Sequence, residues 1–195
     1  MDQAAPSFHA LSADVEMTTW TAILQDTTVE NGTLKMQRKD PSNVRAVIDF
    51  SKEKDAREIA FLGRIIEIYY PKLNLVQDYD MSKNTDVLNQ FLLLGFGSSG
   101  KELAQNYDIS AEGTENVAGH TTTKLLLLPK SSKMKETLSK IEMWIPEDAA
   151  NPVQQQFYGP SGNYRKITYT HINLHPAIKG NLEMKLPRNV KRRSG

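Results

Sequence analysis

Few side-chain groupings in this 195-residue chain could do chemistry. The most suggestive is Gly95-Phe96-Gly97-Ser98-Ser99-Gly100, formally GxGxxG, which follows an apolar run and precedes a helix-like stretch. Such a loop can bring backbone N–H groups against a pyrophosphate, but only where it joins strand to helix in a parallel βαβ unit. The residues after Asn106 read as a β-meander, so these glycines are expected to be a helix exit and a hinge. Gly95 to Lys101 also fits GxxxxGK. The next position must supply a hydroxyl to magnesium, and it is Glu102. His171 and His175 are four apart, a metal-ligand spacing on a helix. In a strand running into Pro176, i and i+4 lie roughly 13 Å apart. His9 and His120 stand alone. There is no cysteine, which excludes disulfides, thiol catalysis and Cys-ligated zinc. Acidic residues fall mainly on the polar positions of strands. The sequence thus offers no catalytic residues, metal site or cofactor site, and a binding protein is expected rather than an enzyme.

Bulk properties agree. Apolar residues make up 39% and charged residues 24%, a globular composition, and the net charge is +1. That balance lacks the strong basic field of a nucleic-acid binder. The basic cluster Lys191-Arg192-Arg193 reads as a solvated end. No stretch approaches the ~18 apolar residues that span a bilayer. The length suits one domain over 1–195.

The positioning elements are mostly strands. A short helix is expected over Asp2 to Leu11, from the spacing of Ala4, Ala5, Phe8 and Leu11. Its abrupt start suggests an incomplete helix, with a signal peptide upstream. Period-two alternation follows in Ala13 to Met17 and continues through Trp20 to Leu24. Asn31-Gly32 is a hairpin signal. Leu34 to Arg38 and Val44 to Phe50 alternate around the turn residues Lys39 to Asn43. Ile59 to Leu62 and Ile65 to Tyr70 form a hairpin about Gly63, and Leu73 to Tyr79 is a further strand. Asp86 to Gly95 then places Val87, Leu88, Phe91, Leu92 and Leu94 near one helical face, with Gly95 at C′. Ser99 to Asn106 is a second helix. Strands return at 107–110, 120–128, 140–145, 152–158, 164–174 and 182–186. Glu112-Gly113 and Gly159 to Gly162 serve as turns, and Ser131 to Lys135 is a loop. Six strands in the first 80 residues with short turns favour an antiparallel meander.

Several segments in this order carry a family likeness. They are Ser7 to Ala13, Gly32 to Arg38, the hairpin Ile59 to Pro71 ending Tyr69-Tyr70-Pro71, Tyr164 to Tyr169, and Leu182 to Val190. The sequence resembles the outer-membrane lipoprotein-sorting, or LolA-like, carrier family, as a divergent member, over nearly its whole length. The resemblance implies a mainly β fold with short helices. This is an incomplete, half-open antiparallel β-barrel of about eleven strands with a helical lid. It further implies a monomeric periplasmic carrier, or chaperone, without a membrane span. Such a carrier takes lipoprotein acyl chains from an inner-membrane transporter and passes them to an outer-membrane receptor. Arg38 falls where the family has an arginine that bonds lid backbone, though Lys39 and Asp40 intervene before Pro41.

On this reading the cavity and lid comprise Leu34, Met36, Ile48, Phe50, Ile66, Ile68, Phe91, Leu92, Leu93 and Leu94, with Arg38 as the lock. Alternation alone does not separate a cavity from a filled core. Arg38 shares the parity of Leu34 and Met36, so its charge needs a partner or a strand-end path to water. Four bulky residues from Phe91 to Leu94 cannot all face inward on one helix. Some must meet a second apolar surface, which a ligand cavity or an ordinary sandwiched core would both supply. A lipid- or lipoprotein-sensing module on the same fold is the alternative function.

Overall fold

The computed structural model describes residues 8–40, 43–82 and 94–195. Among these, twelve strands form one sheet, together with two short helices and a 3₁₀ turn. The strands are β1 (Ala10–Thr21), β2 (Asp26–Asp40), β3 (Asn43–Asp49), β4 (Glu58–Leu62), β5 (Ile65–Tyr70) and β6 (Leu75–Asp80). They continue with β7 (Tyr107–Val117), β8 (His120–Pro129), β9 (Lys140–Pro146), β10 (Gln154–Tyr158), β11 (Tyr164–Asn173) and β12 (Lys191–Ser194). The helices are α1 (Gly100–Asn106) and α2 (Ser132–Lys135). The order across the sheet is β12-β6-β5-β4-β3-β2-β1-β11-β10-β9-β8-β7. Its two terminal strands are not paired with one another, so the sheet is not closed into a barrel. The chain divides into two compact units. The first holds Phe8, Glu16–Glu30 and 94–170; the second holds His9–Val15, 31–82 and His171–Gly195.

Alternating residues make the core of the first unit. Leu127 faces Ile141 across the β8–β9 ladder, and Ile141 faces Phe157 of β10. They pack with Leu94, Leu103 of α1, Tyr107, Met134 of α2, Leu138 and Met143. In the second unit, Val47, Ala60, Tyr69 and Val76 pack against Leu182 and Met184 of the segment 174–190.

Several sequence expectations change. Ala10 and Leu11, expected in a helix, begin β1; residues 1–7 lie outside the described residues. Asn31-Gly32 is not a turn but part of β2. The chain reverses earlier, at 22–25, where Gln25 takes φ 49°. Gly32 is small for another reason: a Cβ there would stand 2.5 Å from the Asp49 carbonyl oxygen and 2.8 Å from the Phe50 ring. Glu112-Gly113 is a β-bulge rather than a turn. Ala111 pairs with Leu125 and Gly113 with Lys124, leaving Glu112 as the extra residue. That hairpin turns instead at Ala118-Gly119, both at positive φ. Ser132–Lys135 closes one helical turn instead of a loop.

The C-terminal region departs furthest. Leu182 to Leu186 keeps the alternation of a strand, with Leu182 and Met184 buried and Glu183 and Lys185 exposed, yet makes no ladder. Side chains hold it instead. The Leu182 N–H donates to Gln37 Oε1 (3.1 Å), Gln37 Nε2 to the Gly180 carbonyl (3.1 Å), and Arg45 to Glu183 Oε1 (2.9 Å). The basic cluster is exposed, as expected of a solvated end, but it is ordered: Lys191–Ser194 is β12, parallel to β6. Glu67 and Asp78 face each other across β5 and β6, and Arg192 bonds both carboxylates.

Candidate functional site

The apolar residues expected to line a cavity fall into register in the second unit. Cα partners across an antiparallel ladder point to the same face. Leu34 pairs with Ile48, Ile48 with Ile59, and Ile59 with Ile68. The neighbouring row runs Met36, Ala46, Phe61, Ile66. Phe50, two residues on from Ile48, extends the same parity. One continuous apolar face therefore crosses β2 to β5. Leu34, Met36, Ala46 and Phe50 are buried, whereas Ile48, Ile59, Phe61, Ile66 and Ile68 are only partly so. The opposite face of these strands is the one capped by Leu182 and Met184. Ile59 and Phe61 were missed at the sequence level, although the period-two spacing of β4 already aligned them. Arg38 sits half-buried at the end of β2, its Cα opposite Val44, and its N–H donates to the His9 carbonyl (2.8 Å).

Of the helix expected over 86–95, residues 86–93, with Phe91, Leu92 and Leu93, lie outside the described residues, and Leu94 and Gly95 lie in a turn. Leu94 is fully buried in the core of the first unit, beside residues of α1, β8 and β9. The chain is fastened here. Gln155 donates from Nε2 to the Leu94 carbonyl (3.0 Å) and accepts at Oε1 from the Tyr169 hydroxyl (2.7 Å). Phe96 meets the Tyr169 ring edge to face at 5.0 Å. Burial holds the Tyr169 phenol well above its ordinary pKa. Gly95 has φ +80°, and a Cβ there would approach Pro152 Cγ to 2.8 Å and Met143 Sδ to 3.1 Å. It is a packed glycine rather than the hinge that the sequence suggests. Polar residues such as Gln155 carry no periodic signal, so sequence reasoning passed over them.

The tempting motifs have structural uses. Ser99 and Glu102 form a reciprocal capping box on α1: the Ser99 N–H donates to Glu102 Oε2 (2.7 Å) and the Glu102 N–H to Ser99 Oγ (3.2 Å). The residue that breaks the phosphate-loop pattern is thus a helix cap. His171 pairs with Asp14 at 2.8 Å. Among the described residues, no group of three His, Cys, Asp or Glu could hold a metal. No described helix is long and apolar enough to cross a membrane.

One ionic cluster occupies the other face of the first unit's sheet. Glu142 is almost wholly buried and accepts from Lys140 (2.7 Å) and the Tyr158 hydroxyl (2.9 Å), with Lys124 at 3.4 Å. Burial pushes its carboxyl up. The two hydrogen bonds and the charges of Lys140 and Lys124 outweigh that, and the net shift is down.

Several solved structures share the fold. LppX, a lipoprotein of Mycobacterium tuberculosis, aligns with TM-score 0.54 and 16% identity over 91% of this chain and 93% of its own. An uncharacterized conserved protein of Thermus thermophilus aligns with TM-score 0.56 and 11% identity, over 100% of this chain and 96% of that one. MucB aligns with TM-score 0.52 and 14% identity over 91% of this chain, which spans 57% of MucB. The chain thus shares its fold with LppX and MucB, at low sequence identity. No curated protein sequence matches it. A family model described as "Uncharacterized protein" matches residues 42–184, well over half of the chain, and the chain belongs to that family.

Proposed function

We propose that the apolar face of β2 to β5 binds acyl chains, and that the protein is a periplasmic carrier of lipoprotein acyl chains between the two membranes. The observation that carries this reading is the pair of rows Leu34-Ile48-Ile59-Ile68 and Met36-Ala46-Phe61-Ile66, five of whose members are only partly buried. Leu34, Met36 and Ala46 anchor this face in the interior, while the isoleucines and Phe61 beside them retain apolar surface that an acyl chain can cover. Each CH₂ group removed from water against them contributes about 0.8 kcal/mol. Arg38 ends this face at the position where the family resemblance implies a lock. An inner-membrane transporter would be the donor and an outer-membrane receptor the acceptor, by the same resemblance.

Native mass spectrometry and lipid extraction of the purified protein test the reading, together with titration of a fluorescent fatty acid. Bound lipid, displaced by lipoprotein, is the expected result. Ile48→Ser with Ile68→Ser is expected to weaken probe binding by at least about tenfold. A protein that carries no lipid, binds no probe and instead retains a stable protein partner would overturn the carrier and favour a sensing module.

A further inference from the structure

The β1–β2 turn in the first unit exposes two large aliphatic side chains: Ile23 is 89% and Leu24 71% exposed. The turn itself is well held. The Leu24 N–H donates to the Thr21 carbonyl (3.2 Å), the Gln25 N–H to the Ala22 carbonyl (3.3 Å) and the Ala22 N–H to Asn163 Oδ1 (2.8 Å). Tight turns draw on Gly, Asn, Asp, Ser and Pro, each for a backbone reason, and isoleucine and leucine satisfy none of them. Neither residue contributes to a core. Their exposure is unexplained by the fold.

Just behind the tip lies a row of amphipathic side chains. Trp20 stacks on Tyr164 (6.4 Å between centroids, 20° between planes), and Tyr164 meets Tyr158 at 5.8 Å. Lys140 Nζ stands 4.3 Å from the centroid of the Tyr158 ring. Lys140, Tyr158 and Tyr164 are register partners across β9, β10 and β11, so the row marks one level at this end of the sheet. Aliphatic side chains at the tip and an aromatic belt behind them are the sequence of chemistries met on passing from acyl chains to headgroups, with Lys140, paired to Glu142 at 2.7 Å, at belt level. A convex two-residue tip is a poor fit to a folded partner, where a stable interface takes about 800 Å² from each side. A fluid bilayer moulds itself to the tip.

We propose that Ile23 and Leu24 form a membrane-docking point whose occupant is a phospholipid bilayer surface, with Trp20, Tyr164, Tyr158 and Lys140 at headgroup level. This goes beyond acyl-chain binding by β2 to β5 and stands without it.

The test is flotation of the full chain with vesicles of phosphatidylethanolamine and phosphatidylglycerol, comparing wild type with Ile23→Ser/Leu24→Ser. Both positions are exposed turn residues, so circular dichroism is expected to be unchanged. Wild type is expected to float, and the double variant to partition at least about tenfold less. In a Trp144→Phe background, Trp20 emission is expected to shift to the blue on adding vesicles. Fatty-acid probe binding by the double variant is expected to stay at the wild-type level, which separates this proposal from the carrier reading. Wild type that stays unbound, a double variant that floats equally well, or an unmoved Trp20 emission would each overturn it.

Discussion

Replacing Gln155 by leucine tests how the chain at Leu94 is fastened. The two side chains are close in volume, so packing changes little. The polar consequences are large. Gln155 is buried and serves two partners, the Leu94 carbonyl and the Tyr169 hydroxyl, and Tyr169 is itself buried. Leucine leaves a buried acceptor and a buried donor without their present partner, and each such loss costs about 1–3 kcal/mol. The expected total is about 2–6 kcal/mol, measured as the shift of the urea midpoint at unchanged slope. Adding Tyr169→Phe removes the stranded hydroxyl, so the double variant is expected to recover about 1–3 kcal/mol of that loss. A Gln155→Leu variant within about 0.5 kcal/mol of wild type, or a double variant no more stable than the single, would refute the reasoning. Burial keeps the Tyr169 phenol protonated in alkali, and burial together with the hydrogen bond to Glu142 does the same for Tyr158, so ultraviolet titration of the folded protein should show at least these two tyrosines resisting ionisation until unfolding.

Three further outcomes follow from the geometry. Gly95→Ala adds a Cβ at φ +80° against Pro152 and Met143, and is expected to cost about 2–4 kcal/mol in thermal or urea unfolding; a freely moving hinge would lose almost nothing. Glu58 has its carboxyl raised by burial and then by the charge of Asp49, directly across the ladder. A raised acid favours the folded state below the unfolded value near 4.5 and loses that contribution as pH rises through the folded value. Glu58→Gln is therefore expected to stabilise the protein at neutral pH, with the gain vanishing below that range in pH-dependent melts. Arg192→Ala leaves Glu67 facing Asp78 without their shared cation. It is expected to cost about 1 kcal/mol, less in high salt, by denaturation at two ionic strengths.

The strands were legible wherever one face is buried and the other wet, because burial writes a period of two directly into the residues. Leu34 to Arg38, Val44 to Phe50 and the hairpin about Gly63 are such cases. What misled was local chemistry with more than one use. Asn31-Gly32 favours positive φ, but its glycine answers to the nearby Phe50 ring. Glu112-Gly113 looks like a turn and is a bulge. Leu182 to Leu186 alternates like a strand because one side packs on Val47 and Ala60, while Gln37 and Arg45 supply the polar contacts that a ladder would have made. β12 was illegible because its pairing partner β6 and the carboxylates that hold Arg192, Glu67 and Asp78, lie more than a hundred residues earlier. The candidate lipid face was legible as parity. Its continuity across four strands needed the register, which no local window contains.

The attachment of β12 to β6 has a consequence for how the second unit comes apart. The segment 174–190 is held between β11 and β12, so it forms a strap anchored at both ends across the Val47–Ala60–Val76 face. Peeling β12 away releases one anchor, and the segment then keeps the packing of Leu182 and Met184 and its bonds from Gln37, Lys39 and Arg45. The strap and the terminal strand should therefore open as one cooperative unit. Their amide hydrogens are expected to exchange with solvent at a common free energy below that of global unfolding, and Arg192→Ala should speed both together.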